Sequence, residues 1–275
     1  MDIETSQNNE GKLIPYLLCW FDGTERKSYW IQDYSNFYTL LKTVMQDLCI
    51  KKYENYKIYL HNFSKFDGIF ILKALINIEN SLVDTIIHKG KLISIQFYFN
   101  DHIIHFRDSY LLLPSYLSKL CNSFNTKVIK TIFPVLFKDI NYKGSVPEFK
   151  WFPEINIWEY EDYRIKFIDN IWDFKKEAIN YCFNDCISLY QNLISFNYLI
   201  FNRFNLNINS YPTFPSLSFG LFRSNYLKQD FKIPGLSGKI FNDFKIGYTG
   251  GSVDMYIPSF NSNKTDKRLR CYDVN

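Results

Sequence analysis

Apolar residues recur along the chain with two periods, and the changes between them mark out the elements. Residues 13–21 are an almost continuous apolar run ending at Asp22-Gly23, and residues 28–31 are a second short run; together they predict a β-hairpin. Phe37, Leu40, Leu41, Val44, Met45 and Leu48 fall at helical spacing, so residues 36–48 predict an amphipathic helix. An apolar strand over 56–60, a polar turn and a helix over 68–78 come next. Residues 86–87, 92–99 and 103–106 predict three short antiparallel strands, separated by Lys89-Gly90 and Asn100-Asp101. A helix over 116–124 precedes an irregular stretch, 126–172, rich in Pro, Lys and aromatics. Such a stretch is either a surface excursion or a segment wrapped along a ligand. A long helix over 175–199 closes the pattern, followed by an Asn-, Ser- and Pro-rich boundary at 202–215 and a helix over 217–227. The mixture predicts an α/β protein with one domain over 1–199 and the start of another over 200–275.

Composition narrows this only a little. The 275 residues are 47% hydrophobic and 22% charged, which suits a globular chain with a sizeable core. No apolar run reaches the ~18–20 residues of a membrane span, and the acidic N-terminus does not resemble a signal peptide, so no membrane partner is expected. The aromatic share, 19%, matches the Ile-, Asn-, Lys-, Phe- and Tyr-rich composition of a strongly AT-rich gene. The net charge of +4 permits an anionic partner without requiring one. The six cysteines show no CxxC pair and read as reduced core residues. Cys182 and Cys186 are four apart on a helix but have no second Cys/His pair nearby, so zinc is not expected there. His102 and His105, three apart on a strand, point to opposite faces, so they are not expected to share a metal.

The carboxylates carry the candidate chemistry. Asp2 and Glu4, two apart on a strand, share one face. Asp67 stands at a strand-to-helix junction beside Asn62 and Phe66. Asp185 lies one helical turn after Tyr181. Four carboxylates on a strand, a junction and a helix can converge on paired Mg²⁺ or Mn²⁺ ions that clamp a phosphodiester. Each motif taken singly has a bland alternative: a solvated strand end, or an ordinary i,i+4 contact.

The order of the motifs resembles the three exonuclease motifs of family B DNA polymerases of the protein-primed branch, found in phages and mitochondrial linear plasmids. These are Asp2-Ile3-Glu4-Thr5, then Asn62-x-x-x-Phe66-Asp67, then Tyr181-x-x-x-Asp185. Lys130-Thr131-Ile132-Phe133 is similar to the Lys-x-x-hydrophobic element of the proofreading site. Asp108-Ser109-Tyr110-Leu111-Leu112-Leu113 is similar to the element that grips single-stranded DNA, with Tyr110 in place of the usual Leu. Tyr248-Thr249-Gly250-Gly251 resembles the Tyr-x-Gly-Gly template-binding element, and Tyr272-Asp273-Val274-Asn275 the opening of the first polymerase carboxylate motif.

The resemblance implies an RNase H-like (DnaQ-type) 3′→5′ exonuclease domain followed by the beginning of a family B palm. It implies two ions, Mg²⁺ or Mn²⁺, held by Asp2, Glu4, Asp67 and Asp185, with Tyr181 and Lys130 assisting catalysis. Thr5, Asn62, Phe66, Ser109 and Leu113 would position a frayed DNA 3′ end, and Tyr248, Gly250 and Gly251 the template. Asp273 would be a metal ligand of a polymerase site that it cannot complete alone, so this chain is not expected to polymerise DNA by itself. A terminal protein is the implied primer and the mitochondrion the implied compartment, with a phage or viral origin as the other source. Only Met1 precedes Asp2, so the strand bearing Asp2 is expected to be short on its N-terminal side. Two other readings fit the same residues: a free-standing 3′→5′ DNA exonuclease, and a catalytically inactive DNA-binding remnant.

Overall fold

Strand β1 (Asp2–Gln7) pairs antiparallel with β2 (Leu13–Phe21), and β2 with β3 (Arg26–Trp30). The computed structural model describes all residues except 9, 129–130, 168–170, 229, 233–234 and 248–275. The β1–β2 register slips between Glu4 and Thr5: Glu4 faces Leu17 and Thr5 faces Pro15, which leaves Tyr16 as an extra residue. Pro15 has no N–H for a ladder, so a bulge is where such a strand accommodates it.

A second sheet has the order β4 (Lys57–Leu60), β7 (His102–Asp108), β6 (Lys91–Phe99), β5 (Ser81–His88), with β4 and β7 parallel. The Met1 nitrogen donates to Tyr59 O at 3.1 Å, which sets the start of β1 beside β4. β1 starts at Asp2 itself, so its whole length lies on the C-terminal side of that residue. β1 has six residues, and Met1 is itself buried in the core.

Two helices cover one face. α1 (Phe37–Leu48) begins at a capping box formed by Asn36 and Thr39, and buries Leu40, Leu41, Val44, Met45 and Leu48. α2 (Asp67–Leu75) packs beside it, and the first core cluster, with Ile3, Leu18, Leu60, Phe97 and Phe106, lies beneath them. The opposite face carries α5 (Phe174–Phe204), capped by Asp173, whose side chain accepts from Lys176 N. Its buried stripe of Cys182, Cys186, Leu189, Leu193, Phe196 and Ile200 recurs at helical spacing.

The irregular stretch turned out to be a core of its own. Phe133, Phe152, Tyr160, Tyr163 and Trp172 pack with Tyr16, Trp30 and Phe174 into an aromatic cluster, which explains why the sequence there looked neither helical nor stranded. It also holds a short two-stranded ladder, β8 (Lys143–Gly144) with β9 (Trp172–Asp173), and a helix, α4 (Ile157–Ile165). The signal for α4 was Asn156-x-x-Glu159, whose side chains form a capping box. α3 (Leu117–Phe124) packs on α5. The boundary expected after residue 199 falls inside α5. Ile200, Ile208 and Leu217 of α6 (Phe214–Leu221) share a third cluster with Leu189 and Leu193, and the first compact unit runs Met1–Leu227. The second unit, Lys228–Asn275, contains the helix α7 (Gly238–Gly247) in its described part. No helix among the described residues is long and apolar enough to cross a membrane.

Because α4 is a short helix held at one end by its capping box, Asn156→Ala should lower the unfolding free energy by about 1 kcal/mol. A urea titration that shows an unchanged midpoint would remove the cap from the account of this segment.

Candidate active site

The alternation of β1 sends Ile3 into the first core and leaves Asp2 and Glu4 together on the α5 side. From α5 come Tyr181 and Asp185, one turn apart on the same stripe. Asp67 arrives from β4 through a tight turn. Asn62 adopts a left-handed φ of 66°, and Phe63 O accepts the Gly68 N–H at 2.9 Å. Asp108 at the end of β7 braces that turn, accepting from Ser64 N at 2.8 Å and from Tyr110 N at 2.9 Å. Gly68 has no room for a side chain: a Cβ there would lie 2.7 Å from Phe63 O and 2.9 Å from Leu92 Cδ2.

Asp67 is 2% exposed and its Oδ1 has no hydrogen-bond partner. Burial pushes its pKa well above the usual carboxylate range, and the Asp2 charge pushes it further. Glu4 is raised well above its ordinary value by burial first, then by Asp2, Asp185 and Asp67. Asp2 is raised by burial as well, with the N-terminal ammonium acting against it. Desolvated carboxylates whose charges raise a neighbour's pKa, as Asp2 does for Glu4 and Asp67, ask for positive charge beside them. A buried acceptor without a donor, on a set of hard oxygen ligands, fits a Mg²⁺- or Mn²⁺-class ion.

Tyr181 is buried and stacks on Phe133, with ring centroids 5.1 Å apart and planes at 27°. Its hydroxyl is held strongly protonated, by burial first and then by Asp185, Glu4 and Asp2, so it is a donor. Asn184, one residue before Asp185, reaches Thr131 Oγ1 at 3.4 Å, which ties the 131–133 segment to the same helix. Phe66 is half-buried and meets Phe70 edge-on at 5.7 Å; Asn62 and Thr5 are half-buried too. Ser109 does not stand at a surface. It is fully buried, its hydroxyl donates to Leu60 O at 3.1 Å, and it lies 2.9 Å from His61 Nδ1. As placed, Ser109 holds backbone and His61, with no face left for a strand. Leu113, 8% exposed, belongs to the third core cluster. Lys130, Tyr248, Gly250, Gly251 and Asp273 lie outside the described residues.

The structure adds three neighbours that the motifs did not indicate. Tyr16, extruded by the bulge, has its hydroxyl pushed up by burial and then by Glu4. His61 is pinned through Nδ1 by Ser109 and through Nε2 by Ser115 O at 2.9 Å, with its ring edge-on to Tyr110. Cys182 places its Sγ 3.7 Å from Asp2 Oδ2. Pro15 inside a strand pattern was the one available sign of the bulge; nothing in the spacing pointed to the other two.

A family model described as DNA polymerase type B, organellar and viral, matches residues 47–275. The chain is 38% identical over 279 residues to a probable DNA polymerase of Neurospora intermedia, covering 96% of this chain and 28% of that protein. It is 30% identical over 297 residues to a probable DNA polymerase of Ascobolus immersus, covering 100% of this chain and 23% of that one. The chain thus spans about a quarter of the length of these curated relatives. Among solved structures it is similar to Phi29 DNA polymerase complexed with single-stranded DNA, with a TM-score of 0.56 and 20% identity, over 91% of this chain and 39% of that one. At that identity the likeness is one of fold, and it agrees with the mixed α/β arrangement described above.

Two outcomes follow from the geometry. Asp67 has a raised folded pKa, so it is tolerated while protonated and destabilises as pH climbs from the ordinary carboxylate range through its folded value. Metal-free Asp67→Asn chain should therefore exceed wild type in stability near pH 8 by about 1–3 kcal/mol. That gap should close as pH falls toward ~4, and a gap independent of pH in paired denaturation curves would contradict the assignment. Gly68→Ala should cost about 1–3 kcal/mol through overpacking against Phe63 O. An unchanged melting temperature would show that the turn can yield.

Proposed function

The chain belongs to the organellar and viral type B DNA polymerases, and from that premise we propose that its unit Met1–Leu227 is a 3′→5′ exonuclease acting on DNA ends. The observation that carries this is the convergence of Asp2 and Glu4, with ligand oxygens within 4.8 Å of one another, with Asp67 and Asp185 near enough for their charges to act on Glu4, and with a buried Asp67 oxygen that has no donor. Those four residues would hold two Mg²⁺ or Mn²⁺ ions. When bound, the ions supply acidification of the attacking water and charge stabilisation at the leaving 3′-oxygen.

The remaining work falls to side chains of this chain. Tyr181, a protonated donor locked against Phe133, orients the incoming water by a hydrogen bond from its hydroxyl. Phe66 and Asn62, half-buried on the turn that leads to Asp67, receive the last bases of a frayed strand, Phe66 by stacking. Thr5, half-buried and next to Glu4 at the β1 register slip, is assigned to the same strand end. A mismatched terminus frays more readily and so reaches these residues more often, which gives proofreading without base-specific contacts. A fold shared with a polymerase solved with single-stranded DNA supports the choice of strand.

Ser109 and Leu113 act behind this surface, as supports of His61 and of the third core cluster. Lys130 completes the proposal as the cation facing the phosphate, and Tyr248, Gly250 and Gly251 as template contacts. This chain is not proposed to polymerise DNA by itself; a longer polymerase, with Asp273 as one ligand, a terminal protein as primer and the mitochondrion as compartment, belongs to the same reading. The organellar and viral description of the family supports it.

Purified chain with Mn²⁺ or Mg²⁺ should release mononucleotides from a 3′-labelled single-stranded oligonucleotide. Asp67→Ala and Asp185→Ala should each reduce that rate by about 100-fold or more. Strand binding by the wild type with no nucleotide released would leave a DNA-binding remnant as the function.

A further inference from the structure

Cys182 is the neighbour of the carboxylates to which the exonuclease chemistry assigns no task. Its Sγ lies 3.7 Å from both Asp2 Oδ2 and the Asp2 carbonyl oxygen. With one carboxylate oxygen each from Asp2 and Glu4, it forms a group of donor atoms all within 4.8 Å of one another. Atoms about 2.0–2.3 Å from one zinc-class ion can be at most about 4.6 Å apart. Small side-chain adjustments therefore bring all three onto a common centre.

A second, independent observation points to a cation beside this group. Asp67, 2% exposed and with its Oδ1 unpartnered, is near enough for its charge to act on Glu4 and for that of Asp2 to act on it. Asp2 and Glu4 are half-buried and give access from solvent, while Cys182 forms the buried wall behind them.

We propose that Asp2, Glu4 and Cys182 make a thiophilic metal site, which takes a Zn²⁺- or Cd²⁺-class ion through sulfur and competes with the hard ion for the same two carboxylates. This rests on the reading of those carboxylates as metal ligands. Hard oxygen donors alone suit Mg²⁺ and Mn²⁺; a thiolate added to them shifts preference to softer ions. Binding exchanges the thiol proton for the metal: the S–H bond breaks, an S–metal bond forms, and the proton leaves to solvent. The centre is thereby open to inhibition by soft ions, relieved by a chelator.

The test is a Cd²⁺ titration of the whole chain, read by sulfur-to-cadmium charge-transfer absorption in the ultraviolet and by proton release. Wild type should develop a saturating band that excess Mn²⁺ suppresses. Cys182→Ser should lose the band and release one proton fewer per cadmium, while Cys49→Ser keeps both. Asp2→Asn, with every cysteine in place, should weaken the band, so the result does not depend on how well Cys182→Ser folds. A band that survives in folded Cys182→Ser would place the sulfur elsewhere and overturn the proposal. Cadmium bound without a band would remove Cys182 and leave the carboxylate centre standing. No binding of Cd²⁺ or Mn²⁺ would remove both.

Discussion

Four carboxylates brought together in a desolvated cleft are the constraint to which the rest of the structure answers. Among the described residues, no lysine or arginine forms an ion pair with Asp2, Glu4 or Asp67. Asp2, Asp185 and Asp67 raise the pKa of Glu4, and Asp2 raises that of Asp67, so the arrangement works against folding unless protons or cations occupy it. A fold that keeps such a cluster must be held elsewhere. Three apolar clusters do this: one under α1 and α2, one of aromatics around Trp172, and one along the distal half of α5.

Placement of the cluster follows from how three elements meet. β1 and β4 lie side by side at the Met1–Tyr59 hydrogen bond. β4 then turns through Asn62 into α2, so Asp67 stands near the face of β1 that bears Asp2 and Glu4. The turn is fixed on both sides, by Asp108 from β7 and by the Gly68 N–H on Phe63 O. Asp108 is a carboxylate with its own backbone donors, which separates its role from that of Asp67. One of these buried acids is satisfied and braces the turn; the other is left open toward the cleft.

Most of the frame was legible because its elements follow simple periods. β2, α1, β6 and α5 lie within a few residues of where the apolar pattern put them, since each buries one face against one neighbour. Asp67 and Asp185 were legible because each has a fixed local context, a strand-to-helix turn or a helical i,i+4 pair. What escaped were features made by contacts between distant segments. The aromatic core over 126–172 has no period, because its rings pack against Tyr16 and Trp30, which lie far away in sequence. Ser109 looked like a surface grip because its burial depends on His61 and Leu60 closing over it. Sequence spacing pairs Cys182 with Cys186 along the helix, whereas its neighbour in space is Asp2, 180 residues away.

The last case shows what α5 must do at once. Tyr181 and Asp185 lie on a stripe that faces the cleft, and Cys182, Cys186, Leu189 and Leu193 on the adjacent stripe that packs against the sheet and the third cluster. Successive residues are about 100° apart around a helix, so Cys182 stands at the border between the two. The rotation of α5 is set by its apolar stripe, with Cys186 packed so that its thiol meets Cys19 O at 3.3 Å. Turning the helix to carry Cys182 farther from Asp2 would also move Asp185 and Tyr181 relative to Glu4. The soft donor thus accompanies the hard ones as a consequence of packing. The helix rotation that seats Asp185 at the cleft is the rotation that brings sulfur to Asp2.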